Sequence, residues 1–307
     1  MNIEKCKLYK INRKRDLYKL LKISDWKRIE ITRTMYNIRI ENGKRLIEAP
    51  CDELKLLQKR LLRLLYDIEF DKNIFSGIRG RSAYDNAYFH LKADEILKFD
   101  MQKFFPNTPR ENIYKFFKEK LLMSSDTAKI CTDIVTVDYS LMKIPSEVEC
   151  FLKEKHIKSK NHLPSGTPTS QILSYLANKD MFDELNNYAK HRKMKLSVYV
   201  DDLTFSIIDS RFKKADMRFI GRVIKKYGYS VSKKKTKRYK IDDFKKITGF
   251  VISPNKELVV PNKIRLKINK ILNRKEQLSN KEKASLNGMI NFAQMSEKNR
   301  YNNQKMN

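Results

Sequence analysis

Between residues 51 and 68, Leu54, Leu57, Leu61, Leu64, Leu65 and Ile68 recur at helical spacing. That recurrence predicts an amphipathic helix, with Pro50 at its start. A glycine-punctuated loop follows, Phe75-Ser76-Gly77-Ile78-Arg79-Gly80-Arg81-Ser82, and residues 83–93 read as a second helix. Ile96-Leu97-Lys98-Phe99-Asp100 reads as a strand that ends in a carboxylate. Thr108-Pro109-Arg110-Glu111 gives three helix-start signals: Thr108 as N-cap, Pro109 in the first turn, Glu111 closing a capping box. That helix should run to about Leu121, with another from Asp126. Thr167-Pro168-Thr169-Ser170 opens a helix expected to reach about Tyr188. Residues 197–208 read as strand, tight turn, strand, with Asp201-Asp202 at the turn. Ser279-Asn280-Lys281-Glu282 is a capping box ahead of Leu286, Ile290 and Phe292. Strands and helices mix without regular βαβ alternation, so the expected class is α+β, helices packed on an antiparallel sheet.

Composition narrows the function. The chain has 307 residues, 41% of them hydrophobic, which is too apolar for a disordered chain. No stretch approaches the ~20 apolar residues of a membrane helix. The first residues are charged and lack an apolar core, so no secretory leader is expected. Cys6, Cys51, Cys131 and Cys150 stand far apart and read as reduced thiols, which fits a cytoplasmic protein. Lys and Arg total 66 against 36 Asp and Glu, a net charge of +30. Such an excess calls for a polyanion. Nucleic acid leads over an anionic membrane, because the charge runs through the whole chain with no lipidation signal. Lys outnumbers Arg 47 to 19, which suits tracking a phosphate backbone more than reading base edges. The densest segment, residues 225–246, interleaves ten basic residues with Tyr227, Tyr229 and Tyr239, a composition that suits a single strand or heteroduplex.

The chemistry concentrates at Tyr199-Val200-Asp201-Asp202. Two adjacent aspartates between strand formers are costly unless they meet positive charge. With Asp100 they could hold two divalent ions about 4 Å apart, activating a hydroxyl and stabilising a leaving pyrophosphate. Oxygen-only ligands favour Mg²⁺ over zinc. Alone, an Asp-Asp pair reads more readily as ordinary turn chemistry, because such pairs are common.

The context of that pair resembles a family. Tyr199-Val200-Asp201-Asp202-Leu203-Thr204-Phe205-Ser206 resembles the YxDD box of reverse transcriptases in its bacterial form. Leu97-Lys98-Phe99-Asp100-Met101-Gln102-Lys103-Phe104-Phe105-Pro106 is similar to their first palm motif. Leu163-Pro164-Ser165-Gly166-Thr167-Pro168-Thr169-Ser170 is similar to their LPQGxPTSP box, and Arg45-Leu46-Ile47-Glu48-Ala49-Pro50 to their R-x-I-x-x-P element. Asn86-Ala87-Tyr88-Phe89-His90 resembles the NAxxH motif of retron reverse transcriptases. Ile247-Thr248-Gly249 resembles their VTG motif, and Lys234-Lys235-Thr236 a KKT-like segment. The resemblance covers roughly residues 40–295.

It implies a right-hand polymerase fold. Residues 1–95 would form an N-terminal extension and fingers, residues 96–255 a palm with a fingers insertion around 105–175, and residues 256–307 a helical thumb. It implies two Mg²⁺ ions at Asp100, Asp201 and Asp202, with Met101 in the metal set. Arg45, Phe105, Ser165 and Gly166 would bind the nucleotide, Phe105 as a gate against the ribose 2′-hydroxyl. Lys233, Lys234, Lys235 and Lys237 would bind nucleic acid. Asn86 and His90, and with them Thr248 and Gly249, would mark the retron branch, the first two supporting a guide RNA or the fold, not the chemistry. Ser165 departs from the usual Gln, Gln171 from the usual Pro, and Val200 from the usual Ala. Implied partners are a structured non-coding RNA, its DNA product, deoxynucleotides and an effector protein, with no membrane. Implied function is RNA-templated synthesis of a branched RNA–DNA (msDNA) in antiphage defence. Diversity-generating, CRISPR-associated and group II intron-like enzymes are the alternatives, as is a non-catalytic basic RNA-binding scaffold.

Overall fold

The computed structural model describes residues 1–24, 27–157, 159–273 and 278–297. Of the expected thumb, residues 274–277 and 298–307 lie outside the described residues. The chain opens with α1 (Lys14–Leu21), the hairpin β1 (Tyr36–Glu41) and β2 (Arg45–Pro50), then α2 (Asp52–Leu65) and α3 (Ala83–Phe89). β3 (Glu95–Asp100) leads to α4 (Arg110–Lys115), α5 (Ser125–Val135), β4 (Val137–Asp138), α6 (Ser146–Glu154) and β5 (Asn161–His162). Next come α7 (Ser170–Ala177), α8 (Lys179–His191), the hairpin β6 (Lys195–Tyr199) and β7 (Asp202–Ile207), α9 (Lys214–Lys226) and β8 (Lys237–Tyr239). The short strands β9 (Lys245–Ile247), β10 (Phe250–Ile252) and β11 (Leu258–Val259) form an antiparallel meander before α10 (Asn262–Leu272) and α11 (Asn280–Gln294).

The central sheet is antiparallel, in the order β6-β7-β3-β8. β3, β6 and β7 are largely buried because both faces of the sheet are covered, while β8 is an exposed basic edge. On one face Leu97, Phe99, Leu203 and Phe205 join the main core with Phe182 and Leu185 of α8 and Ile220 and Ile224 of α9. On the other, Ile96 packs in a second cluster with Ala87 of α3 and Ile247, Phe250 and Ile252 of the meander. Burying each such side chain contributes about 1.5–3 kcal/mol. α10 and α11 share a separate core of Ile268, Leu286, Ile290 and Ala293, and Phe292 stacks on Phe250 at 4.4 Å. The α+β class and the right-hand polymerase fold follow the expectation.

Several helix boundaries differ from the sequence reading. Thr108 does not cap α4: its hydroxyl is committed to the Phe104 carbonyl and Tyr229, and Pro109 stands at the N-cap. The regular α-helix ends at Lys115 and runs on as one wider turn, Phe116–Lys120. The helix from residue 83 stops at Phe89, where His90 turns inward. The long helix expected to reach Tyr188 is broken at Asn178, whose side-chain amide donates to the Ser174 carbonyl while its oxygen accepts from the Tyr229 hydroxyl.

Candidate active site

Register brings the three aspartates together. Asp100 ends β3 directly opposite Asp202 on β7, and Tyr199 pairs with the same Asp202 across the β6–β7 hairpin. The hairpin loop is therefore only Val200 and Asp201. The Met101 N–H donates to the Asp201 carbonyl at 2.9 Å, pinning the turn to the end of β3. Val200 adopts φ +57°, the left-handed region that such a tight turn fills with glycine. A β-branched residue there is strained, and the surrounding strands hold it.

These residues face a cavity of about 870 Å³. Asp100, Met101, Asp201 and Asp202 line one side, and Lys44, Arg45, Phe105, Ser165 and Lys235 also reach it. Phe104 and Phe105 both line it; Phe104 is buried and in contact with Tyr229 at 5.0 Å, whereas Phe105 is only half-buried. Gly166, exposed at φ +111°, belongs to the Ser165 loop but not to the lining. Lys233, Lys234 and Lys237 are exposed outside it.

Burial, and after it the charge of Asp100, push the Asp201 carboxyl up to about 6; Asp202 adds to this and Lys235 opposes it. Two ammonium groups answer the negative charge. Lys235 donates to Asp100 at 3.0 Å and Lys98 to Asp202 at 3.4 Å. Among the described residues no three His, Cys, Asp or Glu side chains converge as the ligands of one ion. The donor chemistry nonetheless fits hard divalent cations: carboxylate oxygens crowd one cavity, and burial together with the charge of Asp100 raises Asp201.

Sequence reasoning assigned no role in the cavity to Lys103, Lys155 or His156. Lys103 and Lys155 both lie over the Phe151 ring, at 5.1 and 5.6 Å. Burial, then Lys155 and Lys235, hold Lys103 below the usual lysine range. Its place three residues beyond Asp100 was the available signal; nothing in the sequence brings α6 to the same rim.

The retron-motif residues lie behind the aspartates. His90 is buried, with Nδ1 2.6 Å from the Ser206 hydroxyl and Nε2 2.8 Å from that of Ser197, spanning β7 and β6. Asn86 donates to the Thr248 hydroxyl at 3.3 Å, and Thr248 donates to the Ala83 carbonyl at 2.9 Å. Two motifs 162 residues apart thus meet, with Gly249 at φ +97° turning the chain beside them. Thr248 also reaches the cavity; Asn86, His90 and Gly249 do not line it.

Residues 37–279 match the family described as reverse transcriptase (RNA-dependent DNA polymerase). The chain is 29% identical over 220 residues to the retron Ec86 reverse transcriptase of Escherichia coli, a match covering 70% of this chain and 61% of that one. It is 24% identical to the retron Se72 reverse transcriptase of Salmonella heidelberg, over 69% of this chain and 52% of that one. With the retron Ec83 reverse transcriptase of Escherichia coli it shares 25% identity, over 82% and 78% of the two chains. The chain spans about half to four-fifths of these relatives' lengths. With this match over most of its length, the chain belongs to the reverse transcriptase family, and within that family its likeness is to retron enzymes.

Proposed function

We propose that this chain is an RNA-directed DNA polymerase of the retron type, copying a cognate structured RNA into DNA. The observation that carries the reading is the convergence of Asp100, Asp201 and Asp202 on one cavity rimmed by cations. Asp100, Asp201 and Asp202, with Met101, would hold two Mg²⁺, which supply activation of the primer hydroxyl and charge stabilisation for the leaving pyrophosphate. Arg45 and Lys44 bind the triphosphate from the β2 side. Lys235, on Asp100 when no cation is bound, adds positive charge for the same group. Phe105 presents a ring to the sugar and excludes a 2′-hydroxyl. Ser165 seats the nucleotide opposite Arg45, and Gly166 gives the Ser165 loop its turn. Lys233, Lys234 and Lys237 track the backbone of the template or product strand.

The finer reading is a branched RNA–DNA product, made in antiphage defence with an effector protein. It is supported by the likeness to retron enzymes and by the NAxxH and ITG segments. Purified chain, an RNA template with annealed primer, deoxynucleotides and Mg²⁺ test the polymerase reading. Template-dependent extension is expected; RNA binding without extension would leave a scaffold. Nucleic acid co-purifying with the chain tests the retron reading. It should contain DNA joined to RNA by a linkage that a debranching enzyme cleaves, and unlinked RNA alone would contradict it.

A further inference from the structure

Away from the aspartates, Glu48 is a fully buried carboxylate in the middle of β2. One of its oxygens accepts from the Tyr139 hydroxyl and from His162 Nε2 at 2.8 Å. The other accepts from the Ser165 N–H at 2.6 Å, while the Glu48 N–H donates to the Ser165 carbonyl at 2.7 Å. His162 Nδ1 lies 2.8 Å from the Ser159 carbonyl. Both ring nitrogens therefore face oxygen atoms, an environment that favours the charged ring. Burial opposes that charge, but the Glu48 carboxylate and the Ser159 carbonyl outweigh it and the net shift is upward.

The network joins two walls of the cavity. β2 carries Arg45 three residues before Glu48, and Ser165 stands on the facing loop. Gly166 runs beside β2: a Cβ there would lie in ordinary contact, 3.6 Å from the Glu48 carbonyl oxygen and from Ile47. On its other side the loop is tied by the Leu163 N–H to the Thr108 carbonyl, beyond Phe105. A buried pair kept only for stability is replaceable by apolar side chains at little loss. Here the carboxylate is the piece that reaches a backbone amide of the cavity wall.

We propose that Glu48, held by His162 and Tyr139, is a positioning residue for the incoming nucleotide, fixing the Arg45 and Ser165 walls at one separation. This rests on the reading of the cavity as a deoxynucleotide site. The test is steady-state primer extension by wild type, Glu48→Gln and His162→Gln, well below each variant's Tm, with primer–template affinity measured alongside. Both variants should raise the deoxynucleotide KM about tenfold, with kcat changed far less and primer–template Kd unchanged. Should either fail to fold, Tyr139→Phe, which keeps the ring, carries the same readout with a smaller rise. Wild-type extension with an unchanged variant KM, whatever happens to Tm, overturns this inference alone. A wild type that extends no primer overturns the polymerase reading and this inference with it.

Discussion

Phe104 and Phe105 are neighbours with different surroundings. Both line the cavity, but Phe104 is buried against Phe182 and Tyr229, and Phe105 is only half-buried. The sequence offers two equivalent rings, and only the packing of α8 and Tyr229 tells them apart. Replacing Phe105 with Val should therefore leave the fold intact and admit ribonucleotides. The ratio of deoxynucleotide to ribonucleotide incorporation measures this; an unchanged ratio would make Phe105 a wall without selectivity. Val200 could not be read as strained from sequence, because its φ follows from a hairpin loop of two residues whose length only pairing reveals. Lys235 sits in a run of three lysines, yet it alone of the run reaches Asp100, because the turn after Ser232 directs it inward. Glu48 was hidden for a different reason. A glutamate in a charged hairpin reads as solvated, and its partners Tyr139, His162 and Ser165 lie 91 to 117 residues away.

At the scale of elements, the hairpin and strand that carry the aspartates were legible because apolar alternation and a tight turn are local signals. Helix ends were less so. Thr108 and Asn178 are drawn into bonds with Tyr229, a residue 121 and 51 positions away, and that tertiary contact overrides local capping. His90 is an element-scale strut between α3 and the β6–β7 hairpin. His90→Leu would strand the buried Ser197 and Ser206 hydroxyls, at a cost of about 1–3 kcal/mol for each group left unsatisfied. Burial, followed by Lys195 and Lys98, lowers the His90 pKa to about 3. Its unfolded value is about 6.5. The unfolded chain therefore takes up a proton that the folded chain refuses. The stability this group contributes is complete above pH 6.5 and is lost as pH falls toward 3, by about 1.4 kcal/mol per unit. Urea melts at pH 7.5 and 5.5 should show a shallower pH dependence in His90→Leu than in wild type. Identical slopes would mean that His90 is protonated in the fold.

For the whole molecule, the net charge of +30 is what the sequence displayed most openly, and the fold decides where it is spent. Some cations are paired with buried carboxylates: Arg110 and Lys129 both bond Asp133, and Arg238 bonds Glu95. Lys233, Lys234 and Lys237 remain exposed beside the cavity. Replacing these three with Gln should flatten the slope of log K on log salt for RNA binding by roughly 2 to 3 units. It should weaken cognate and unrelated RNAs alike. An unchanged slope would make the run a solvated face, and a loss confined to cognate RNA would show that it reads shape or sequence. The central claim, that a basic protein of this fold copies RNA into DNA at three aspartates, is tested most directly by one paired measurement on Asp201→Ala and Asp202→Ala. Primer extension on an RNA template should disappear in each variant, since losing one such ligand removes several kcal/mol of transition-state stabilisation, while RNA affinity stays near the wild-type value. Retained DNA synthesis in either variant would contradict the account.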